Sequence, residues 1–396
     1  MDNAIDHRRL GPALDLFHFQ EEAQGSVFWH ARGLAVVRAL EDHVRAILRA
    51  DGFEEVRSPQ VMARSIWESS GHWGKFSVGM MRLASVARDA SALKPVSCPA
   101  HIQIVKQRKL FARDLPLRIA EMGLVHRKER RSQLLGLLRL RQFVQDDGHI
   151  FCAPEHVASE VERYVRRVKK LYADLGFASE HRHAAISLRP KARAGSDALW
   201  DRAERILCEA VEGAGLECIM QPGAGAFYGP KLEIVLKDAR GREWQCGTLQ
   251  LDYVMPERFG LDYVAENGKK KPLVIIHRAM LGSFERFLGI LLEHHRGRLP
   301  PWLAPEPIRI LPVAAAHHDY AEEVARILRG GIDRRDLPLG KRVFAAHAAH
   351  VPFVVVVGGR DVQARSVVLR EGKAQRELSL DAARAELARL CSPPDV

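Results

Sequence analysis

Cys98, His149 and His277 are the residues in this sequence whose types are best suited to chemistry. One thiolate and two imidazoles make a good ligand set for zinc, and three protein ligands leave a fourth coordination position open to a substrate. The three residues lie far apart in the chain, and no compact C-x-x-C or H-x-x-x-H pattern joins them. Spacing alone therefore favours a buried cysteine and two hydrogen-bonded histidines. The segments around them, KPVSCPAHIQI, RLRQFVQDDGHIF and IIHRAMLGSFERF, favour the metal site instead.

Strand patterns must position two of these residues. LRIAEMGLVHRKE and GLLRLRQFVQDDGHIF indicate two strands joined by a polar loop, an antiparallel hairpin that carries His149. KLEIVLKDARGREWQCGTLQLDYVMP indicates two more antiparallel strands around a D-x-R-G-R turn. In KPLVIIHRAMLGSFERFLGILLEHHRG, one continuous helix would place His277 and Arg286 on opposite sides. The apolar, β-branched LVII run favours a strand, a turn and then a helix from about residue 280, which puts both side chains at one end of the unit.

Other periodic patterns predict the elements around these segments. Helices are predicted near 33–50, 154–175 and 197–215. EEVRSPQVM indicates a strand with Pro59 at its edge or end.

A proline-rich linker divides the chain. RGRLPPWLAPEPIR occupies 296–309 and is the clearest linker in the sequence. After it, IRILPVA, helices near 318–330 and 341–349, FVVVVG and SVVLRE alternate strand and helix. This alternation predicts a small α/β domain with a mixed sheet.

Composition bounds the class of protein. The chain has 396 residues, of which 47% are hydrophobic, so two or more domains with sizeable cores are possible. No run of about 18 apolar residues occurs, so a membrane span is not expected. The N-terminus, MDNAIDHRRLGPALDLFHFQ, has no apolar signal region. Six cysteines without dense spacing fit a reducing compartment, and the cytoplasm is the expected location.

The charge is strongly basic, with a formal net charge of +11. A basic surface attracts polyanions, RNA first among them. The basic runs include RKERR at 127–131 and VRRVKK at 165–170. The second run lies in an amphipathic helical pattern and fits a solvated helix face equally well. The first lies between two predicted strands, beside the candidate site.

Several segments together resemble threonyl-tRNA synthetase, a class II aminoacyl-tRNA synthetase. VRSPQVM with Pro59 is similar to motif 1 of that class, EMGLVHRKE followed by GLLRLRQFVQDDGHIF to motif 2, and LGSFERFLGILLE with Arg286 to motif 3. SGHWGKF, FYGPKLE, WQCGTLQLD and CPAH add matches specific to the threonyl enzymes. The resemblance covers nearly the whole chain and implies an α+β fold. A class II synthetase antiparallel sheet flanked by helices is expected over 1–300, and an anticodon-binding-like α/β domain over 305–396. Motif 1 normally builds the partner interface, so a homodimer is also implied.

The resemblance also implies an amino-acid site. Cys98, His149 and His277 match zinc ligands, and in the family the zinc binds the amino and hydroxyl groups of threonine. A site built around a polar contact rejects valine, which offers only a methyl group, far better than an apolar pocket does. The further threonine contacts that the match implies are Asp147, Gln145, Tyr228 and Gln250. Residues two apart on a strand share a face, so Asp147 and His149 can converge.

An ATP site is implied in the same way, with Mg²⁺ as counter-ion to the phosphates. The threonine carboxylate would attack the α-phosphorus, so catalysis would depend on positioning and charge neutralisation. The matched residues are Arg127 for the α-phosphate and the amino-acid carboxylate, Glu129 for the adenine amino group, Phe143 for stacking on adenine, Arg139 and Arg286 for the other phosphates, and Gln245 near the ribose and α-phosphate. His72 matches a residue linked to the later transfer step, and Lys231 matches a basic residue lining the site.

The motif 2 tip departs from the family pattern. A Pro-Ser-Gly turn is usual there and touches the tRNA acceptor end, but this chain has Arg130-Arg131-Ser132. The histidine usual before Gly136 is Leu135. The residues that would contact ATP are retained, whereas those facing tRNA are not.

The two ends of the chain depart as well. The chain begins where the family's catalytic core begins, so editing of a seryl product in cis is not expected. In the C-terminal domain, GIDRRDLPLGKR is shorter than usual, with Asp336 where asparagine is usual and His350 where a basic residue is usual. Arg370 does match an anticodon contact of the family.

These features support three hypotheses. The leading one is an enzyme resembling threonine–tRNA ligase, which adenylates threonine with ATP and ligates it to tRNA-Thr without editing in cis. The second keeps adenylation but passes threonine or an analogue to another acceptor, such as a carrier protein, a small metabolite or a non-standard RNA. The third is a non-catalytic regulatory homologue, against which the intact ATP and zinc residues argue.

Overall fold

The computed structural model describes residues 5–83 and 91–396 of the chain. These residues form two compact units. The larger unit comprises Phe19–Val27 and Val44–Ile290. The smaller unit comprises the described part of Met1–His18 together with Phe28–His43 and Leu291–Asp395.

Within the described ranges the chain forms thirteen α-helices. In chain order they are α1 (His7–Ala13), α2 (Ala31–Ala50), α3 (Arg64–Ser69), α4 (His72–Lys75), α5 (Cys98–Lys106), α6 (Val157–Asp174), α7 (Asp197–Gly213), α8 (Met255–Phe259), α9 (Phe284–His294), α10 (His318–Leu328), α11 (Leu339–Ala348), α12 (Gly359–Ala364) and α13 (Leu380–Leu390). The helices predicted near 33–50, 154–175 and 197–215 are confirmed as α2, α6 and α7. None of the helices in the described ranges is long and apolar enough to cross a bilayer.

The same ranges contain twenty β-strands. They are β1 (Phe17–His18), β2 (Phe28–Trp29), β3 (Glu54–Glu55), β4 (Val61–Ala63), β5 (Arg82–Leu83), β6 (Ser91–Leu93), β7 (Leu117–His126), β8 (Gln142–Cys152), β9 (Arg182–Ser187), β10 (Cys218–Gln221), β11 (Lys231–Lys237), β12 (Glu243–Asp252), β13 (Asp262–Val264), β14 (Lys270–Pro272), β15 (Val274–Ala279), β16 (Ile308–Pro312), β17 (Gly331–Ile332), β18 (Phe353–Val357), β19 (Ser366–Glu371) and β20 (Ala374–Ser379).

An eight-stranded sheet forms the core of the larger unit, in the order β10-β9-β11-β12-β15-β8-β7-β3. Neighbouring strands are antiparallel except at the two edges, where β10 runs parallel to β9 and β3 runs parallel to β7. The predicted antiparallel sheet is therefore confirmed. So are the hairpin β7–β8 and the pair β11–β12.

Helices cover both faces of this sheet. Successive residues of a strand point to opposite sides, so His277 and Arg278 of β15 face different helices. On the His277 side, Met255 of α8 belongs to the same buried cluster as Ile275. On the other side, the guanidinium of Arg278 lies 5.8 Å from the ring centre of Tyr164 in α6. Helix α6 therefore packs on the face away from His277.

A buried aspartate holds the turn between β15 and α9. The carboxylate of Asp146 accepts hydrogen bonds from the backbone N–H groups of Met280, Leu281 and Gly282, at 2.6, 3.1 and 2.8 Å. Gly282 has a φ of 72°, and a Cβ there would lie 2.4 Å from the carbonyl oxygen of Cys246, so glycine is required. The predicted change from strand to turn to helix is confirmed, although the helix begins slightly later than predicted.

The smaller unit contains a five-stranded sheet in the order β17-β16-β18-β19-β20. β16 runs parallel to β17 and β18, and the other pairs are antiparallel, so the predicted mixed sheet is confirmed. The apolar run of β18 is buried on both faces. Val355 packs in one cluster with Val324 of α10 and Leu387 of α13, whereas Val354 packs in another with Ala346 of α11.

The prediction of a single strand over EEVRSPQVM is wrong. The first residues of this segment form β3 in the eight-stranded sheet, and the last form β4 in a separate sheet of order β4-β6-β5. Pro59 lies between them and has no N–H to donate to a ladder, which explains the break. Three elements near the C-terminus, α12, β20 and α13, were not predicted.

Replacing Asp146 with alanine should destabilise the larger unit. The change would leave three buried N–H groups without their acceptor, and each such group costs about 1–3 kcal/mol. Burial raises the pKa of Asp146 to about 6, so the carboxylate is ionised at pH 8. Urea unfolding at pH 8, followed by circular dichroism, should therefore show a clearly lower midpoint for Asp146→Ala.

Asp201→Ala is the matched control. Asp201 is exposed, and its partner Arg189 also pairs with Glu204, so the midpoint should stay where it is. Equal midpoints for Asp146→Ala and the unmodified chain would mean that the aspartate does not hold the turn.

Candidate active site

The register of four central strands places a row of polar side chains across the sheet. His149 of β8 lies directly opposite His277 of β15, His277 lies opposite Gln250 of β12, and Gln250 lies opposite Lys231 of β11. Residues directly opposite one another in antiparallel strands point to the same face. Four residues that were predicted separately are therefore neighbours on one face.

Cys98 joins this row at the His149 end. Its sulfur and one ring nitrogen each of His149 and His277 lie within 4.8 Å of one another, and all three residues are buried. Cys98 is the first residue of α5, and Ile102 and Val105 of this helix pack in one buried cluster with Ile275 of β15. This packing holds Cys98 against the sheet. The three predicted metal ligands are thus brought together.

Both nitrogens of each histidine ring have a partner. Nε2 of His149 and Nδ1 of His277 face each other at 2.9 Å. Nε2 of His277 lies 2.9 Å from Oδ2 of Asp252, and Nδ1 of His149 lies 2.8 Å from Nδ1 of His101. Metal-binding histidines typically have their other nitrogen held in this way, because the partner sets the tautomer and the ring orientation. The donor set therefore fits a zinc ion with one open position.

Burial sets the protonation of these donors. It raises the pKa of the Cys98 thiol well above its usual range, and nearby Asp147 and Asp252 add to the rise. It lowers the pKa of His149 well below its usual range. The imidazole is therefore neutral, which is the form that binds metals, and a cation in the site would favour the thiolate.

The predicted threonine contacts border the donor set. The hydroxyl of Tyr228 donates to Oε1 of Gln250 at 2.5 Å, and its ring centre lies 5.1 Å from that of His277. Oδ2 of Asp147 accepts the backbone N–H of Ser97 at 3.3 Å. The remaining member, Gln145, precedes Asp147 by two residues on the same face of β8 and lines the neighbouring pocket.

That pocket contains every residue predicted to contact ATP. These residues are Arg127, Glu129, Arg139, Phe143, Gln245 and Arg286. Lys231 and Gln250 also line it, as do residues that were not predicted, among them Ala226, Thr248 and Ser283. Gln250 therefore lines the pocket and lies directly opposite His277, so the pocket and the metal-ligand set lie on one face of the sheet.

Arg127 and Arg286 are half-buried cations that contact backbone carbonyls. Arg286 donates to the carbonyl oxygens of Leu138 at 2.9 Å and Gln245 at 2.7 Å, and Arg127 donates to that of Pro95 at 3.3 Å. Burial and the charge of Arg286 lower the pKa of Arg127 to about 10, and burial also lowers the pKa of Arg286. Within the described part of the chain, no carboxylate forms an ion pair with either. Two such guanidinium groups favour an anionic ligand.

Arg139 and Glu129, in contrast, pair with each other. Nε and Nη2 of Arg139 lie 3.0 and 2.9 Å from Oε2 of Glu129. The roles predicted for these two residues require that the ion pair open when a nucleotide binds. The ring of Phe143 lies 5.1 Å from the guanidinium of Arg127, at the wall of the pocket.

A β-bulge directs Gln245 into the pocket. Thr248 of β12 lies opposite Glu233, but Gln245 lies opposite Val235, so β12 has one more residue than β11 in this stretch. The extra residue reverses the alternation, and Gln245 shares the face of Thr248. Gly247 lies inside the bulge, where a Cβ would lie 2.9 Å from the carbonyl oxygen of Met280.

His72 and Lys231 are both ordered by neighbours. His72 is buried, with Nδ1 2.9 Å from Oγ of Ser70 and its ring edge-on to Phe227. Burial lowers the pKa of His72 to about 4, so the ring is neutral near pH 7. Nζ of Lys231 lies 2.8 Å from Oε1 of Glu233.

Sequence patterns missed three residues that support the site: His101, Asp252 and Asp146. The spacing held a signal for two of them. Asp252 follows Gln250 by two residues on a strand, and His101 follows Cys98 by three on a helix, and both spacings place side chains on one face. No pattern indicated the part that Asp146 plays in the distant turn.

Two family descriptions match the chain. Residues 82–295 match the tRNA synthetase class II core domain (G, H, P, S and T), and residues 308–390 match the anticodon binding domain. The first match covers the whole donor set and the arginine pocket.

Individual relatives agree with these matches. The chain is 48% identical to the threonine–tRNA ligases of Granulibacter bethesdensis and Rhodospirillum rubrum, over 99% of its own length and 62% and 61% of theirs. It therefore spans about three fifths of the length of these relatives. The crystal structure of the RNA binding domain of threonyl-tRNA synthetase from Cryptosporidium parvum Iowa II superposes with a TM-score of 0.94 at 35% identity, covering 98% of this chain and 99% of that one. The chain thus belongs to the class II tRNA synthetase family, and within it to the threonyl-tRNA synthetases.

Proposed function

We propose that this chain is an enzyme that activates threonine with ATP, forming threonyl-adenylate, and ligates the threonyl group to tRNA-Thr. One observation carries the proposal: a thiol and two imidazoles suited to a metal lie beside an arginine-lined pocket on the same face of one sheet. The names of the relatives, threonine–tRNA ligase, support the same reaction. Binding both substrates on one rigid sheet would supply the positioning that such a reaction needs.

In this proposal Cys98, His149 and His277 hold a zinc ion. When bound, the ion would supply coordination for the amino and hydroxyl groups of threonine. Asp147 would accept a hydrogen bond from the threonine hydroxyl, and Tyr228 would form part of the wall of the amino-acid site. Valine has no hydroxyl group and would leave these polar groups unsatisfied. Serine keeps the hydroxyl and lacks one methyl group, worth about 1 kcal/mol, so it would be a weaker substrate.

Arg127 and Arg286 supply the positive charge of the ATP site. Their half-buried guanidinium groups line the pocket without carboxylate partners in the described structure, so bound phosphates would balance their charge, with Mg²⁺ as counter-ion. Arg139 would join them after leaving Glu129, whose carboxylate then becomes free for the adenine amino group. Phe143 would stack on adenine, and Gln245 would contact the ribose and the α-phosphate.

We also propose a division of labour along the chain. Residues 1–300 would form the catalytic domain, and 305–396 an anticodon-binding-like domain, which is supported by the family match over 308–390. A homodimer remains a proposal that rests on the motif 1 resemblance. The cytoplasm remains the proposed compartment on the composition argument.

A second function is favoured by the motif 2 tip. Arg130 and Arg131 are exposed, and the acid nearest Arg131 is the exposed Glu21, at 3.7 Å. An exposed ion pair of this kind contributes little, so the tip presents net positive charge to solvent. Such a tip suits any phosphate-bearing acceptor. In this alternative the chain activates threonine but passes it to a carrier protein or a small metabolite.

Threonine-dependent exchange of pyrophosphate into ATP tests the activation step. Arg127→Ala and Arg286→Ala should each lower the exchange rate by about 100-fold or more, because each removes a preorganised charge at a reacting phosphate. Arg240→Ala removes an exposed arginine and should leave the rate unchanged. Exchange should be weaker with serine and nearly absent with valine.

Normal exchange in both pocket variants would mean that ATP binds elsewhere. Equal exchange rates with valine and serine would show that the site does not recognise the hydroxyl group of its amino acid.

Aminoacylation of tRNA-Thr, beside an anticodon-swapped variant, tests the acceptor. We expect activation without efficient or anticodon-dependent charging, because the tip and the anticodon-reading surface are altered. RNA affinity should fall steeply with salt, since phosphate contacts release counter-ions. The combined change Arg130→Pro, Arg131→Ser and Ser132→Gly should raise charging of tRNA-Thr.

The control removes the same number of positive charges elsewhere. Arg166→Ser with Lys169→Ser, both exposed on α6, should not raise charging. Efficient charging with strong anticodon discrimination by the unmodified chain would contradict this prediction and favour an ordinary synthetase. Activation without any charging would favour the second function.

A further inference from the structure

We propose that His101 is a positioning residue for the metal-binding ring of His149, and that Glu121 fixes His101 in turn. The inference rests on the metal site of the proposed function. It assigns a role to a buried chain of side chains that lies outside the predicted ligands and substrate contacts.

His101 touches His149 on the side away from the metal position. Nδ1 of His101 lies 2.8 Å from Nδ1 of His149, and the two rings meet edge to face at 84° with centres 4.7 Å apart. Nε2 of His149 faces Nδ1 of His277, so we assign Nε2 to the metal position. His101 can therefore hold the ring without competing for the ion.

The hydrogen bond between these two rings has a required direction. A hydrogen bond between ring nitrogens needs one donor and one acceptor. When Nε2 of His149 binds a metal, its Nδ1 carries the proton, so Nδ1 of His101 must accept. The proton of His101 then lies on Nε2, which faces Oε1 of Glu121 at 3.7 Å. The carboxylate favours this tautomer by its charge, since that distance is too long for a hydrogen bond.

Glu121 is itself immobilised. Its carboxylate accepts the backbone N–H of Ser58 at 2.8 Å, the hydroxyl of Ser58 at 2.9 Å, and the ammonium group of Lys94. All of these groups are buried, and Nζ of Lys94 also donates to Oγ of Ser58 at 2.9 Å. Burial raises the pKa of Glu121, but His101 and Lys94 outweigh it, so the pKa lies well below its usual range and the carboxylate is charged. Because the Glu121 carboxylate is charged and fixed by hydrogen bonds from Ser58 and Lys94, it favours one orientation of the His101 ring.

The two metal-binding histidines are thus oriented by different means. Nε2 of His277 lies 2.9 Å from the carboxylate of Asp252, whereas Nδ1 of His149 contacts the ring of His101 at 2.8 Å and lies 3.8 Å from Oδ1 of Asp147, too far for a hydrogen bond. A change at His101 should therefore disturb one ligand and leave the other in place.

Metal binding by the full chain tests this role without a turnover assay. Zinc affinity is measured by competition with a chromophoric chelator, and the ligand-field spectrum of the Co²⁺-loaded protein reports the ligand arrangement. His101→Phe keeps a ring of similar size but cannot accept a hydrogen bond from Nδ1 of His149. Loss of such a partner typically weakens metal binding by about 10–100-fold, so we expect a loss of that size and an altered Co²⁺ spectrum.

Two further variants make the test specific. His101→Gln offers an amide oxygen that can accept the same proton, so its affinity should stay within about threefold of the unmodified chain. His156→Gln changes a histidine outside the site and should alter neither the zinc affinity nor the Co²⁺ spectrum. If His101→Phe does not fold, His101→Leu replaces it with the same expectation.

The outcomes separate this inference from the metal site itself. Unmodified chain that binds neither zinc nor Co²⁺ would overturn the metal site. Zinc binding that is equally tight in the unmodified chain and in His101→Phe, with the same Co²⁺ spectrum, would overturn the positioning role alone. Equal losses of zinc affinity in His101→Phe and His101→Gln would also overturn it. Such a result would mean that the packing of His101 matters and that its ability to accept a hydrogen bond does not.

Discussion

The register of the central strands is the constraint on which the site depends. His149, His277 and Gln250 are neighbours only because their strands pair with these residues directly opposite one another. A slip of one residue in β15 would bring Arg278 to the site face and turn His277 toward α6. Apolar residues on both faces of the sheet oppose that slip, as does the turn held by Asp146. The site therefore takes its backbone geometry from the hydrophobic core and from a backbone turn.

The site also gathers opposite electrostatic demands on one surface. The half-buried guanidinium groups of Arg127 and Arg286 line the pocket without a carboxylate partner in the described structure, so they favour an anion. The buried thiol of Cys98 and the neutral ring of His149 are suited instead to a cation. A substrate pair with a phosphate at one end and an amino group and a hydroxyl at the other would meet both demands. This complementarity links the fold to the proposed chemistry.

Local patterns predicted the parts of the molecule that depend on local physics. The β7–β8 hairpin and the strand–turn–helix around His277 follow from alternation, turn residues and helical spacing, and they were predicted without the fold. The bulge at Gly247 reverses the alternation of β12, so Gln245 was identified only through the family resemblance. Pro59 divides a segment that alternation alone predicted as one strand. The roles of Asp146 and His101 depend on contacts with segments distant in the chain, which no local pattern contains.

The proposed chemistry requires one zinc ion bound at Cys98, His149 and His277. Diffraction data collected on both sides of the zinc absorption edge, from crystals of protein purified without chelator, would locate such an ion. We expect one strong anomalous peak among the sulfur of Cys98 and the facing nitrogens of the two rings, at about 2.3 Å from sulfur and about 2.0–2.1 Å from each nitrogen. If crystals grown with zinc present show no peak there, these three residues do not form a zinc site.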